Sequence, residues 1–174
     1  MAFATQFELL DLKCHANKKF DCGNNEMNQF LRRYADKNRK LGLSSTWVLS
    51  EQDNDASEQK LKLAAYYTLA SSTVKQIEIP HDKKLPVYPV PALLLARIAV
   101  SKHYQKQGLG KKTLITALRK AAELTEKGLP ALGVILDVLD NDALSFYQTF
   151  DDFRPFSNNP MRLFISMNVI KQLG

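Results

Sequence analysis

A glycine turn between an apolar run and an amphipathic helix is the segment of this sequence best suited to bind a ligand. The apolar run covers residues 93–100, and the turn, Gln-Lys-Gln-Gly-Leu-Gly, covers residues 105–110. The order strand, glycine turn, helix directs backbone N–H groups and a helix N-terminus at an anion. Gly108 and Gly110 permit close approach of a ligand because they lack a Cβ atom. We therefore predict a site for an anionic cofactor that contains a pyrophosphate.

The spacing of the turn argues against two common phosphate-binding motifs. A P-loop that ends at Gly110 and Lys111 needs glycine at 105 and Ser or Thr at 112, where this chain has Gln105 and Lys112. A dinucleotide fingerprint that starts at Gly108 needs glycine at position 113, where the chain has threonine. The pattern that fits is Gln/Arg-x-x-Gly-x-Gly/Ala, and it resembles the acyl-CoA loop of the GNAT N-acetyltransferases. A purely structural connection between strand and helix is the alternative.

Composition favours one soluble domain over the whole chain. The protein has 174 residues, of which 45% are hydrophobic, and a formal net charge of +6. That size predicts a single domain with a sizeable core, and the charge favours a polyanionic partner. Residues 1–8 lack the pattern of a signal peptide and no apolar run is long enough to cross a membrane, so we predict a cytoplasmic protein. The two cysteines and three histidines lack metal-ligand spacing, and we predict no metal.

The periodicity of apolar residues predicts an α/β fold. The mixed order of elements indicates a mostly antiparallel sheet, flanked by helices, that becomes parallel near the glycine turn. In the first helix, Met27, Phe30, Leu31 and Tyr34 have the spacing of a buried stripe. We predict strands over residues 7–12, 45–50, 61–71, 93–100, 131–139 and 162–169, and helices over 26–40, from 111 to about 127, and a short one capped by Asp140 or Asn141.

Tyr147 is the second candidate for chemistry. It lies on the helix after strand 131–139, which should neighbour strand 93–100 in parallel orientation. Because the carboxyl ends of parallel strands share one edge of a sheet, Tyr147 can face the turn at 105–110. The alternative is a core tyrosine in an aromatic stripe with Phe146 and Phe150.

Several blocks of the chain, in order, resemble the GNAT-fold toxins of bacterial toxin–antitoxin modules, which acetylate the α-amino group of aminoacyl-tRNA and stop translation. The resemblance implies a single GNAT acyl-CoA N-acyltransferase domain over residues 1–174. One departure concerns residues 150–153, Phe-Asp-Asp-Phe, where the family usually reads Phe-Gly-Phe. The blocks are residues 20–23 with 28–31, 95–100 with 104–110, 142–143 with 146–147, and Phe153 with Pro155.

The resemblance also implies the donor and the residues that bind it. Acetyl-CoA is the expected donor substrate, with its pyrophosphate on backbone N–H groups of residues 107–111 and its pantetheine arm along residues 98–100. Tyr147 is the expected general acid for the departing thiolate, and water takes the proton from the amine. The expected cofactor-binding residues are Ile98, Ala99, Val100, Gln105, Lys106, Gln107, Gly108, Leu109, Gly110, Lys111, Asn141 and Phe146.

Two basic segments flank this predicted site. Residues 97–122 hold seven Lys or Arg side chains and no acid, and the polar face of the first helix carries five cations against one acid, Asp36. Solvated helix faces are the usual meaning of such charge, but beside an acetyl-transfer site they favour tRNA binding. By resemblance we also expect an antitoxin with a ribbon-helix-helix domain, and a homodimer. The candidate nucleic-acid-binding residues are Arg32, Arg33, Lys37, Arg39, Lys40 and Arg97, of which Arg97 either orients the aminoacyl end or pairs with an acid.

Two other functions stay open on the sequence. The first is a GNAT enzyme that acetylates a protein N-terminus, a lysine or a small amine, although the basic first helix disfavours a basic peptide. The second is a non-enzymatic basic module that binds nucleic acid and uses the glycine turn only structurally. Binding of acetyl-CoA separates the second function from both enzymes, and the choice of acceptor separates the two enzymes from each other.

Overall fold

The computed structural model describes residue 4 and residues 6–52, 60–81 and 84–173. The chain forms two compact units, the first of residues Met1–Leu69 and Arg97–Ala117 and the second of Ala70–Ala96 and Leu118–Gly174. The strands are β1 (Glu8–Leu9), β2 (Ser45–Ser50), β3 (Leu63–Val74), β4 (Val90–Val100), β5 (Gly133–Asp137), β6 (Arg154–Phe156) and β7 (Asn159–Ser166). The α-helices are α1 (Asn25–Gln29), α2 (Ala35–Lys40), α3 (Leu109–Glu126), α4 (Asn141–Gln148) and α5 (Met167–Gln172).

The strands form the sheet that the sequence predicts. Their order is β1-β2-β3-β4-β5-β7-β6. The pairs β1–β2, β2–β3, β5–β7 and β6–β7 are antiparallel, whereas β4 and β5 are parallel. This arrangement confirms the prediction of a mixed, mostly antiparallel sheet with a parallel pair at the strand that precedes the glycine turn. No helix among the described residues is long and apolar enough to cross a membrane.

In the first unit, the helical segment 25–40 packs its apolar side on the strands. Asn24 caps α1, since its side-chain oxygen accepts the N–H of Met27 at 3.1 Å. Met27, Phe30 and Leu31 are buried, as the periodicity predicts, in a cluster with Phe20, Val48 and Tyr66. The Tyr66 hydroxyl donates to the carbonyl oxygen of Met27 at 2.7 Å and holds the helix at that point.

A π-helical turn interrupts this helical segment and corrects one prediction. Residues Phe30–Tyr34 are π-helical, and the N–H of Ala35 bonds to the carbonyl of Phe30, five residues back. The wider turn changes the rotation between successive residues, so the apolar stripe shifts by one position. Ala35 is only 1% exposed, while Tyr34 is 50% exposed. The prediction that Tyr34 belongs to the buried stripe was therefore wrong.

In the second unit, β5 is the central strand, and the last strand of the sheet is shorter than the sequence predicts. Leu93 to Leu95 pair with Val134 to Leu136, and β7 pairs with β5 on the other side. The last strand ends at Ser166 because the Ser166 side chain caps α5 by accepting the N–H of Val169 at 3.3 Å. The predicted strand 162–169 was thus too long at its end. The turn-rich stretch at 155–160 forms the end of β6 and the start of β7.

Gly133→Ala should destabilise the protein strongly. Gly133 begins β5, and a Cβ atom there would collide with the carbonyl oxygen of Ile165 and lie 2.6 Å from Cζ of Phe164. Backbone cannot move aside as a flexible side chain can, so we expect a loss above the usual ~1–3 kcal/mol of overpacking. Urea unfolding measures it.

Gly42→Ala is the comparison for this experiment. Gly42 has φ +77°, and no atom lies within 4 Å of the position that a Cβ atom would take, so only left-handed strain of about 1–2 kcal/mol applies. Equal losses in the two variants would contradict the collision at Gly133.

Candidate active site

The glycine turn presents backbone N–H groups as an anion site requires. β4 ends at Val100 and α3 begins at Leu109, two residues earlier than predicted. Lys106 has φ 62° and Gly108 has φ 84°, so both residues are in the left-handed region. Such conformations in a turn curve successive N–H groups into a concave surface. Glycine adopts this region at little cost, whereas Lys106 does so at about 1–2 kcal/mol, which is a strained conformation of the kind concentrated at functional sites.

The first turn of α3 adds further N–H donors. The first intrahelical bond is from the N–H of Lys112 to the carbonyl of Gly108, at 3.2 Å. The N–H groups of the residues just before Lys112 therefore have no acceptor within the helix. They lie at the positive end of the dipole of an 18-residue helix. The exposed side chains of Lys106, Lys111 and Lys112 surround this end of the helix. The turn therefore fits a pyrophosphate held mainly by backbone.

Gln105 supports the turn with its side chain. The Gln105 Nε2 atom donates to the carbonyl oxygen of Cys22 at 2.8 Å and to that of Val100 at 2.9 Å. One amide group thus joins the end of β4 to the segment that leads into α1. The sequence placed Gln105 among the cofactor-binding residues, and the structure shows its amide nitrogen bound to the protein itself.

Asp21 is the centre of a second set of bonds around the turn. Its Oδ1 accepts the N–H of Gly23 and the Nδ2 of Asn28, each at 2.9 Å. Its Oδ2 pairs with Nζ of Lys102 at 2.9 Å, and its carbonyl oxygen accepts the N–H of Lys102 at 3.0 Å. Lys102, aided by the Gly23 and Asn28 donors, holds the pKa of Asp21 well below its ordinary value.

Sequence reasoning missed this role of Asp21 and Lys102. It used residues 20–23 and 28–31 only as blocks of resemblance. The available signal was an aspartate that is followed by Gly23 two residues later and that precedes the Asn24 helix cap. Asn28 completes the arrangement, because its Oδ1 accepts the N–H of Cys22 at 2.8 Å.

The last residues of β4, which precede the turn, are buried to different extents. Ala99 is buried, while Ile98 and Val100 are half-buried. Arg97 lies with its guanidinium carbon 5.0 Å from the centre of the Phe30 ring, and its Nη2 is 3.5 Å from Oε1 of Glu26. Of the two roles considered for Arg97, the structure shows the pairing with an acid.

Tyr147 lies in the second unit on α4. The Asp140 side chain caps this helix by accepting the N–H of Ala143 at 2.8 Å, so the cap is Asp140 and Asn141 is the exposed first residue. Tyr147 is buried, and burial raises the pKa of its hydroxyl to about 12. The phenol is therefore protonated at neutral pH, as a general acid must be.

An aromatic cluster surrounds Tyr147. Half-buried Phe146 packs edge-on against its ring at 5.2 Å between centroids, and Phe153 does so at 5.9 Å. The longer turn of residues 150–153 thus keeps Phe153 on the Tyr147 ring, with Asp151 and Asp152 exposed. The sequence offered two roles for Tyr147, a core residue and a general acid. A ring buried in this aromatic cluster is compatible with both roles.

Two of the five cations predicted for the first helix bind other parts of the first unit, and a third pairs with an acid within the helix. Arg32 donates through Nε and Nη2 to the Phe20 carbonyl at 3.0 and 2.6 Å. Arg39 donates to the Leu10 carbonyl at 3.1 Å, and Lys40 pairs with Asp36 at 2.9 Å. Arg33 and Lys37 are exposed. Among the residues that the structure describes, no group of three His, Cys, Asp or Glu side chains is placed to hold a metal ion.

Comparison with known proteins identifies the fold. Residues 73–151, from the end of β3 to the residue after Phe150, match the Acetyltransferase (GNAT) family. A mutant of the toxin KacT superposes with a TM-score of 0.85 at 24% identity, over 100% of both chains. This chain has the GNAT acetyltransferase fold. The GNAT fold predicted from the glycine turn and the sequence blocks is thereby confirmed.

Two further similarities are to a tRNA-acetylating toxin and to a protein solved in complex with a tRNA. This chain is 28% identical over 157 residues to the tRNA-acetylating toxin of Mycobacterium tuberculosis, and the match covers 88% of this chain and 87% of that protein. The structure of AtaT complexed with acetyl-methionyl-tRNAfMet has a TM-score of 0.83 to this chain at 23% identity, over 97% of this chain and 98% of the other.

Gln105→Glu should weaken acetyl-CoA binding about tenfold, because two hydrogen bonds to carbonyl oxygens become oxygen–oxygen repulsions. Gln105→Arg should bind nearly as wild type, since a guanidinium also donates to both carbonyls. Calorimetry with acetyl-CoA measures both affinities.

Gln107→Glu is the control for added negative charge in the same turn, since the Gln107 side chain makes only a 3.4 Å contact with the His103 carbonyl. Equal weakening in Gln107→Glu and Gln105→Glu would assign the effect to charge and contradict the supporting role of Gln105.

The interactions of Asp21 should make the stability of the folded protein fall at acidic pH. A carboxyl whose pKa is lowered by folding stabilises the protein above its unfolded pKa, 3.8 for Asp21, and this stabilisation is lost as the pH falls through the folded pKa. Thermal unfolding of wild type and Asp21→Asn from pH 7 to pH 2 should show a gap in Tm that is constant above about pH 4 and narrows progressively as the pH falls below it. Asp151→Asn, at an exposed turn position, should show no gap. A gap for Asp21→Asn that stays constant with pH would contradict the ionic role.

Proposed function

We propose that this GNAT domain, over residues 1–174, is a toxin that transfers the acetyl group of acetyl-CoA to the α-amino group of aminoacyl-tRNA and so blocks translation. The observation that carries the proposal is the similarity to a tRNA-acetylating toxin over 88% of the chain. The left-handed turn at the start of α3 supports the donor half of the reaction, since it offers N–H groups to a pyrophosphate.

Acetyl-CoA binds through backbone in this proposal. The N–H groups of residues 107–111 hold the pyrophosphate, and residues 98–100 align the pantetheine arm and polarise the thioester carbonyl. Polarisation by fixed backbone donors stabilises the oxyanion that forms when the amine attacks. Lys106 and Lys111 add charge near the phosphates, and Asn141 and Phe146 complete the proposed set. Gln105 contributes by supporting the turn.

The chemical step needs one acid. The uncharged amine of the aminoacyl ester attacks the thioester carbon, the C–S bond breaks, and Tyr147 donates its phenolic proton to the departing thiolate. The proton lost by the amine passes to water. The pKa of about 12 supports this role, because it keeps the phenol protonated throughout the range in which the protein works.

The acceptor is held by cations of the first helix. Arg33 and Lys37 are the strongest candidates for phosphate contacts, since the side chain of neither makes a hydrogen bond or ion pair with the described part of the chain. Arg32, Arg39 and Lys40 serve mainly to fix the helix, and they add to its positive field. Phosphate contacts of this kind give an affinity that falls with salt.

The proposal includes the setting in which such a toxin works. It acts in the cytoplasm, where charged tRNA is found, forms a homodimer, and is neutralised by an antitoxin with a ribbon-helix-helix domain. The solved structure of AtaT bound to the C-terminus of the antitoxin AtaR supports an antitoxin partner. Native mass spectrometry of the purified chain measures the dimer directly.

Labelled acetyl-CoA with a pool of aminoacyl-tRNA tests the function. We expect label on the aminoacyl end, and a fall of about 10²–10⁴-fold in kcat for Tyr147→Phe, the usual contribution of a general acid. Acetyl-CoA affinity and Tm should stay near wild type. As the pH is raised, kcat of the wild type should not fall with an apparent pKa near 10, because burial raises the Tyr147 pKa to about 12.

Tyr88→Phe is the matched control, because it removes a hydroxyl from an exposed tyrosine. Transfer of label to a protein N-terminus, a lysine or a small amine, with none to tRNA, would replace the proposed acceptor. Full activity in Tyr147→Phe would remove the tyrosine from its role.

A further inference from the structure

Tyr34 is a large aromatic side chain on the basic helix that the core does not use. Its ring is 50% exposed, although the sequence places it in the apolar stripe. No hydrogen bond or ring contact joins it to the described residues, which cover 4, 6–52, 60–81 and 84–173. The fold therefore leaves a hydrophobic ring in water at a position where the pattern alone would bury it.

The π-helical turn is the physical cause of this exposure. It directs Ala35 into the core and moves Tyr34 outward, and the bond from the Ala35 N–H to the Phe30 carbonyl fixes this register. A regular α-helix over the same residues would bury the tyrosine in line with Met27 and Phe30. Single π-helical turns inside α-helices occur frequently at functional sites.

The neighbours of Tyr34 indicate what the ring would contact. Arg33 precedes it, Lys37 follows it by three residues, and both are exposed cations without an internal partner in the described chain. An aromatic face flanked by cations is the combination that binds single-stranded nucleic acid, in which the ring stacks on an unpaired base and the cations contact phosphates.

We infer that Tyr34 stacks on an unpaired base at the 3′ end of the tRNA acceptor arm, with Arg33 and Lys37 on the adjoining phosphates. The inference rests on the proposed function and extends it to a binding residue. Charge complementarity favours RNA over a protein partner, because exposed cations precede and follow Tyr34 along the helix. Double-stranded RNA offers no exposed base face, so the unpaired 3′ end is the part of tRNA that fits.

The test measures tRNA affinity by fluorescence anisotropy with deacylated bulk tRNA, either intact or trimmed of its unpaired 3′ nucleotides. Tyr34→Ala should weaken binding of intact tRNA about tenfold, and Tyr34→Phe should stay within about twofold, since phenylalanine also stacks. With trimmed tRNA, wild type and Tyr34→Ala should bind alike. Tyr88→Ala is the matched control, since Tyr88 is 67% exposed, and its affinity should stay within about twofold of wild type.

Salt dependence separates stacking from charge. The slope of log affinity against log salt should be the same for Tyr34→Ala and wild type, whereas Arg33→Ala and Lys37→Ala should each reduce it by about 0.7–0.9. Acetyl-CoA affinity should be unchanged in Tyr34→Ala. Wild-type affinity of Tyr34→Ala for intact tRNA, or an equal loss with trimmed tRNA, would overturn the stacking role. A wild-type protein that binds acetyl-CoA but neither binds nor acetylates tRNA would overturn the proposed function itself.

Discussion

The anchoring of the glycine turn to the segment before α1 is the constraint on which the donor site depends. Asp21 binds Lys102 through both side chain and backbone, and Gln105 reaches the Cys22 carbonyl from the other end of the turn. A turn that carries a left-handed lysine would otherwise relax, because its strain favours other conformations. These bonds come from side chains far apart in sequence, so the geometry of the turn is a property of the folded first unit.

The same arrangement explains why so little of the donor site depends on side-chain chemistry. A pyrophosphate bound by N–H groups needs a fixed backbone and a glycine at Gly108, and the surrounding side chains can serve as supports. Gln105 illustrates the point, since its amide donates to two carbonyls of the protein. In the proposed reaction Tyr147 is the exception, because the proton donor is a side chain, and burial raises the pKa of its hydroxyl.

The cations of the basic helix 25–40 fall into two groups, those that bond to the protein itself and those that are exposed to solvent. Arg32 and Arg39 bind the carbonyls of Phe20 and Leu10, where they satisfy backbone oxygens that secondary structure leaves without partners. Arg33 and Lys37 remain directed to solvent beside Tyr34. A count of cations in the sequence treats all of them alike, and only the packing of the helix separates those that hold the fold from those available to a polyanion.

The sequence by itself determined the order of the elements, the mixed sheet, the position of the glycine turn and the candidacy of Tyr147, because glycine placement and apolar periodicity are local signals. Helix 25–40 and β2 were predictable for that reason. The tertiary structure alone decided the exposure of Tyr34, the supporting role of Gln105, the Asp21–Lys102 pair and the end of β7 at Ser166. Each depends on a hydrogen bond or a change of helical register set by packing, which periodicity cannot express.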